Sequence, residues 1–522
     1  MPTDPTLAQQ ARARRRDRLL LGSVLLLGVA IRLLLLLQWP DRLSGDEATV
    51  GLMALRILRG EFPIFYAGQG YLGAMVAYLT AVVYLLAGAS PLTLKVTVFL
   101  FSCLLPVIAF LMGKRMAGWR GGLTCALLTA LAPPFLPVFG NDTRLGYMEV
   151  VVVGSLVLLL ALDLATDERG RAPRERKLLL AAFLAGLGWW INPMTLSYVA
   201  AAGLFLLFRR RLWSLRALWA VPLAFVLGSV PFWVFNATHS FWTFALLEVG
   251  RKDFRAALES TVWRLLEISG VADAIIDPVP WLSPVAGVVY LALVGVLLVE
   301  LARRTPRPEP EVRVRRRGLQ LLLLFSLLHL TAFAFHRFAP LGGTQRYLFP
   351  LYSSLPVLTG IALLRVWEWS RVLAVAALGV LLLNNTLGLA HTVEFFEARR
   401  RQDWWKPEPV VEFLRSQGLT RAYAGWEVAG RLTFETQERI VVTELFGERY
   451  RPYEQWVDAS PRVAYVLVQR QALPARWLEW GLQAISAGYR RKDFGEFSVF
   501  YDFHPSADGP LVSLPPVGWR AV

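Results

Sequence analysis

The chain has 522 residues, 55% of them hydrophobic, with a mean hydropathy of +0.45. Only 18% are charged, against roughly 25% in soluble globular proteins, so the composition excludes an ordinary soluble domain and points to a polytopic membrane protein. The net charge of +16 does not indicate nucleic acid: the basic residues fall in short loops between apolar runs, the pattern that orients a membrane protein.

In chain order, the first element is "ARARRRDRLLLGSVLLLGVAIRLLLLLQWP". Its apolar stretch is about 20 residues, enough to span a hydrocarbon core. With no small-residue cleavage site behind it, it reads as an uncleaved helix with a cytoplasmic N-terminus. Next comes "LSGDEATVGLMALRILRGEFP" at 43–63. Ser44 and Glu47 have capping-box spacing, and Val50, Met53, Ala54, Ile57 and Leu58 form one apolar helical face. This predicts a short amphipathic helix. Segment 71–88 is apolar, but placing it across the membrane would put basic loops outside. It is therefore expected to lie in the outer interface, within one long external loop, 39–91. Spans follow near 92–113, 120–138, 149–166, 178–191, 194–208, 217–235, 284–302, 318–335, 347–365 and 372–391, about eleven in all by length and hydropathy. Few ionisable residues fall inside them: Arg32, Lys95 and His329 are the main ones, Arg32 being within snorkelling reach of a helix end.

From about 392 onward the pattern changes. "TRAYAGW", "ERIVVTEL", "RVAYVLVQ" and "FSVFYDF" alternate as strands do, and "PEPVVEFLRSQG" has a helix start and stop. The division is thus a membrane part, 1–391, and a small extracytoplasmic α/β domain, 392–522. Trp404 and Trp405 read as interfacial anchors between them. Cys103 and Cys125 lie in apolar runs and read as buried thiols.

The outer side collects the candidate site. Asp46 and Glu47 open the amphipathic helix; acidic residues there also complement the helix dipole with no further role. "GNDTRLGYMEV" adds Asp142 and Glu149, and "HRFAPLGGTQRYLFPLY" adds His336, Arg337 and Arg346. Cations outside run against the positive-inside tendency and call for a partner, either a lipid phosphate or a local carboxylate. One carboxylate that takes a proton from an acceptor hydroxyl, with cations on a leaving phosphate, suits transfer of a sugar from a polyprenyl phosphate, with inversion at the anomeric carbon. Such a leaving group needs no general acid.

"GDEA", "FYAGQGYLGAMVAYLTAVVYLLAGASPLTLKV", "KRMAGWRGG", "RLGYME" and "QRYLFPLYSSLPVL", in this order, resemble the GT-C superfamily of membrane glycosyltransferases. The closer likeness is to the family 39 and aminoarabinose-transferase-like branch that includes protein O-mannosyltransferases. The resemblance implies Asp46 as catalytic base and Glu47 beside it in acceptor binding. It also implies Asp142 or Glu149 as the second acidic position, and Arg346 (with Arg337 and His336) on the donor phosphate. Some members use a divalent cation, Mg or Mn, for which Asp46, Asp142 and Glu149 would be the ligands. The implied partners are a polyprenyl-phosphate-linked sugar donor, membrane lipids and a glycan, lipid or protein acceptor. "DWWKPEP" lacks the Asp-Tyr-Gly of oligosaccharyltransferases, and "FYAGQGY" departs from the lysine- and proline-containing stretch of the aminoarabinose branch. Oligosaccharide transfer to asparagine and lipid A modification are thus disfavoured. The Arg-rich composition suits a bacterial inner membrane. The competing reading is a transporter or flippase of lipid-linked sugars.

Overall fold

The computed structural model of the protein describes residues 5–144, 146–166, 171–207, 214–246, 254–272, 279–303, 309–336, 339, 343–401, 406–445, 447, 449–469, 476, 478–480, 482–483 and 487–504. The membrane part runs α1 (Pro5–Gln38), α2 (Gly45–Ile57), a small β1–β2 hairpin (Phe65–Tyr66, Gln69–Gly73), α3 (Met75–Ala87), α4 (Pro91–Ala130), α5 (Phe135–Phe139) and α6 (Tyr147–Thr166). It continues with α7 (Arg171–Ile191), α8 (Thr195–Leu207), α9 (Leu215–Gly228), α10 (Val230–Thr238), α11 (Trp242–Leu246) and α12 (Phe254–Ile268). Last come α13 (Ser283–Ala302), α14 (Pro310–Ala334), a 3-10 segment (Thr344–Ser353), α15 (Leu355–Trp369) and α16 (Arg371–Arg401).

The helix surfaces are inverted relative to a soluble protein. Leu26, Leu34, Leu291 and Leu373 are exposed, while Arg32, Lys95, Glu149 and His329 are buried, as expected where lipid surrounds the bundle and ionisable groups turn inward. Arg32 does not snorkel. It donates to Ser102 Oγ at 2.8 Å, to Gly28 O at 3.0 Å and to Thr129 O at 3.2 Å. The last of these is a carbonyl at the C-terminus of α4, where the intrahelical ladder leaves acceptors without a donor. Arg32 therefore works as an internal cap across two helices.

The expected count of about eleven spans is not confirmed. Among the described residues six helices are long and apolar enough to cross a membrane, or eight if two bent pairs each count once. The differences have local causes. Helix α4, counted once, holds the expected span 92–113 and the start of 120–138 as two separate arms: Ala117 and Gly118 between them leave helical φ/ψ, with Gly118 at φ +68°. A Cβ on Gly113 would come 2.6 Å from Gly121 O, whereas eight residues of straight helix would separate them by about 12 Å. The segment 217–235 breaks at Ser229 into α9 and α10, bent by 75°. Segment 71–88 forms β2 and α3; thirteen helical residues reach about 20 Å, short of a 30 Å core.

The C-terminal domain is the small α/β unit read from the sequence: α17 (Glu408–Ser416), β3 (Arg421–Ala424), α18 (Trp426–Glu435), β4 (Val441–Glu444), α19 (Arg451–Asp458), β5 (Ala464–Val468), β6 (Gly488–Phe494) and β7 (Phe497–His504). The sheet order is β4-β3-β5-β7-β6, with β3 parallel to β4 and β5, and β7 antiparallel to its neighbours. Strand β6, "GYRRKDF", escaped the sequence reading because it is a charged edge strand with no apolar alternation.

This domain sits directly on α2. A Cβ at Gly45 would fall 2.6 Å from the Trp426 ring, and one at Gly51 2.5 Å from the Phe434 ring, both rings being carried on α18. Arg56 lies over the Tyr450 ring at 3.5 Å, and Tyr450 donates to Glu61 at 2.7 Å. Glycine on α2 and aromatics on α18 thus bring the two parts into direct contact at the first turn of α2.

Candidate active site

Ser44 is extended (φ −91°, ψ 163°) and caps α2; both halves of the capping box form. Its Oγ accepts from Glu47 N at 3.3 Å, while Glu47 Oε2 accepts from Ser44 N at 3.0 Å. The other Glu47 oxygen takes Lys95 Nζ at 2.8 Å and Thr143 N at 3.1 Å. Burial pushes this carboxyl up, but Lys95 and Arg144, with hydrogen bonds from Lys95 and Ser44, outweigh it and hold it well below the usual carboxylate range. Lys95 also lies 3.8 Å from Asp142 Oδ1, and Asp142 Oδ2 lies 3.1 Å from Arg144 and 3.8 Å from Arg42. Glu47, Lys95, Asp142 and Arg144 form a continuous ladder of alternating charge inside the bundle.

Asp46, one residue earlier, faces a different way around the helix. Its backbone carbonyl accepts from Tyr66 OH at 2.7 Å, and its Oδ1 takes Arg449 Nη1 at 3.0 Å. Arg449 belongs to the C-terminal domain. Its Nε is 3.5 Å from Glu444 Oε1, and its guanidinium lies 4.6 Å from the Trp426 ring centre. From the bundle side, Arg144, Arg346 and Tyr147 are within electrostatic reach of Asp46. Burial pushes the Glu427 and Glu444 carboxyls up, with Asp46 adding to the push and Arg144 and Arg449 respectively opposing it. Asp46 therefore stands where bundle and roof meet, in a mixed field of arginines and carboxylates.

The other expected residues fall as follows. Arg346 is half-buried beside Tyr347, which it reaches at 3.5 Å, and His336 packs against the same ring at 4.9 Å. Glu149 is buried in the first turn of α6, and among the described residues neither of its oxygens has a hydrogen-bond partner, nor is it joined to the ladder. Arg337, Trp404 and Trp405 lie outside the described residues.

The sequence reading missed Lys95, Arg144, Tyr66, Trp426, Glu427, Glu444 and Arg449 as parts of the site. Lys95 had a signal, a lone charge in an apolar run; the roof residues had none. For a divalent cation the fit is poor. Asp46, Asp142 and Glu149 do not converge, Asp46 and Asp142 are already faced by cations, and no group of three or more His, Cys, Asp or Glu side chains suited to a metal occurs among the described residues.

A bent-helix membrane bundle roofed by a small α/β domain, with an acidic residue after the first span, defines the GT-C class of fold. No protein-family model and no curated protein matches the sequence. Solved structures do. ArnT from Cupriavidus metallidurans in the apo state aligns with 14% identity over 91% of this chain and 97% of its own, at a TM-score of 0.65. The same protein bound to undecaprenyl phosphate aligns with 14% identity over 93% and 99%, at 0.63. The archaeal oligosaccharyltransferase AglB from Archaeoglobus fulgidus, in complex with an inhibitory peptide and a dolichol-phosphate, is a weaker likeness, at 15% identity, 94% and 75% coverage and 0.47. ArnT is a GT-C superfamily membrane glycosyltransferase, and the present chain has the GT-C fold.

Proposed function

We propose that the chain is an inverting glycosyltransferase that moves a sugar from a polyprenyl-phosphate-linked donor to a hydroxyl acceptor on the outer face of a bacterial inner membrane. The observation that carries this reading is Asp46: a carboxylate at the bundle–roof junction, with one direct ion pair and two bundle arginines within electrostatic reach. The fold of ArnT bound to undecaprenyl phosphate supports the donor class. Asp46 takes the proton of the acceptor hydroxyl as its oxygen attacks the anomeric carbon. The bond to the phosphate oxygen breaks, and the polyprenyl phosphate leaves with the electron pair, held by Arg346 and Arg144. Glu47 and Asp142 are positioning residues in this scheme: Glu47 fixes α2 and Asp142 holds Arg144. The acceptor is a glycan, lipid or protein hydroxyl.

The test is turnover by purified protein in nanodiscs with a panel of radiolabelled polyprenyl-phosphate sugars and membrane extract as acceptor. Transfer or slow hydrolysis of one donor is expected, lost in Asp46→Asn while the variant stays folded. Full turnover in that variant would overturn Asp46 as the base. Saturable donor binding without turnover would overturn the transferase in favour of a flippase.

A further inference from the structure

Resting on that reading, we infer that the C-terminal domain completes the base: Arg449 orients and charges Asp46, and Glu444 in turn orients Arg449, so that the roof is part of the reaction machinery. Arg449 makes the single ion pair of Asp46 among the described residues, through Oδ1 at 3.0 Å. Oδ2 makes no hydrogen bond among the described residues. The carboxylate is thus held by one oxygen and left open at the other, the arrangement an acceptor hydroxyl needs.

The guanidinium is itself constrained on three sides. Glu444, at the end of β4, takes Nε at 3.5 Å. The Trp426 ring lies against its flat face at 4.6 Å. The Arg449 backbone is pressed onto the β1–β2 turn, where Gly68 has φ +75° and a Cβ would come 3.2 Å from Arg449 Cα. A side chain fixed by a carboxylate, an indole and a packed backbone is preorganised, and it passes that order to Asp46. Lysine could supply the charge but not the fork that spans two carboxylates.

The groups facing Asp46 set the sign of the expected effect. From the roof these are Arg449, Glu444 and Glu427. From the bundle they are Arg144, Arg346, Tyr147 and Tyr66, with Glu47 and Lys95 behind. Arg449 is the cation in direct contact, so its loss disfavours the ionised carboxylate. Loss of the Glu444 charge leaves Arg449 to Asp46 alone and favours it.

The experiment is an infrared titration of the carboxyl C=O band in nanodiscs. Subtracting Asp46→Asn assigns the Asp46 signal without any ligand. It is run on wild type, Arg449→Gln, Arg449→Lys and Glu444→Gln, beside the pH profile for hydrolysis of whichever polyprenyl-phosphate donor the panel turns over. Expected are an upward midpoint and an acid limb displaced by the same amount in Arg449→Gln, a partial return in Arg449→Lys, and a small downward move in Glu444→Gln. An unmoved midpoint in Arg449→Gln, or an upward one in Glu444→Gln, overturns the inference. If Asp46→Asn keeps full turnover, the proposed reaction falls and Arg449 is only a docking contact. If Asp46→Asn is inactive and the Arg449 variants keep the wild-type profile, the reaction stands and this inference alone falls. Glu444→Gln does not touch Asp46 and remains informative should Arg449→Gln fail to fold.

Discussion

Two neighbouring carboxylates on α2 live in different worlds. Glu47 is sealed within the bundle, and its oxygens accept from Ser44, Lys95 and Thr143. Among the described residues Asp46 is held by one side chain, which arrives from another domain 403 positions later. In the proposed reaction this difference separates holding from reacting. A carboxylate whose lone pairs are all engaged cannot accept a proton without dismantling its surroundings, whereas one with an open oxygen can.

The comparison can be broken most sharply at Asp46. Asp46→Asn should lower turnover by on the order of 10²–10⁴-fold, the usual worth of a general base, while the isosteric amide leaves the protein folded. A parallel loss of thermal stability would make Asp46 a structural residue like its neighbour. Lys95→Met should do the reverse. It strands Glu47 without its direct cation and removes one from Asp142, and should cost about 3–5 kcal/mol, read as an early thermal unfolding transition in detergent.

The same pair fixes a pH window. The folded Glu47 titrates near 2 against an ordinary value of 4.5. Its contribution is therefore fully present above about pH 4.5 and lost as the pH falls toward 2. Acid unfolding of the Lys95→Met variant should begin at higher pH than that of wild type; identical acid midpoints would show that Glu47 contributes nothing. Away from the site, Arg32→Met leaves Thr129 O without its donor and should cost about 1–3 kcal/mol, with turnover intact in whatever fraction remains folded. Smallest is Ser44→Ala, which removes the α2 cap for about 1 kcal/mol, again read as a melting shift.

Local features were legible in the sequence, and long-range partners were not. The capping box at Ser44 and Glu47 was plain from spacing, as were β3, β4, β5 and β7 from alternation. The length of 71–88 would just allow a span; charge placement alone argued against one, and α3 there has thirteen residues. What failed were properties set by tertiary contact. The break in α4 was not among them: 92–113 and 120–138 read as separate spans, and Ala117 and Gly118 leave helical φ/ψ between them. Lys95 stood out as a charge in an apolar run, but Glu47, its partner, is 48 positions away. Arg449 resembles any arginine of a soluble loop until the roof is docked.

That docking has a consequence for biogenesis. Asp46 is made 403 residues before Arg449, its ion-pair partner, an interval of about 20–80 s at 5–20 residues per second. Through that time the ladder around Glu47 can assemble, since Ser44, Lys95 and Thr143 all emerge early, but Asp46 faces water. A chain cut before Arg449 would carry an unfinished site, so the protein gains its proposed chemistry only when the domain that carries Arg449 has been synthesised.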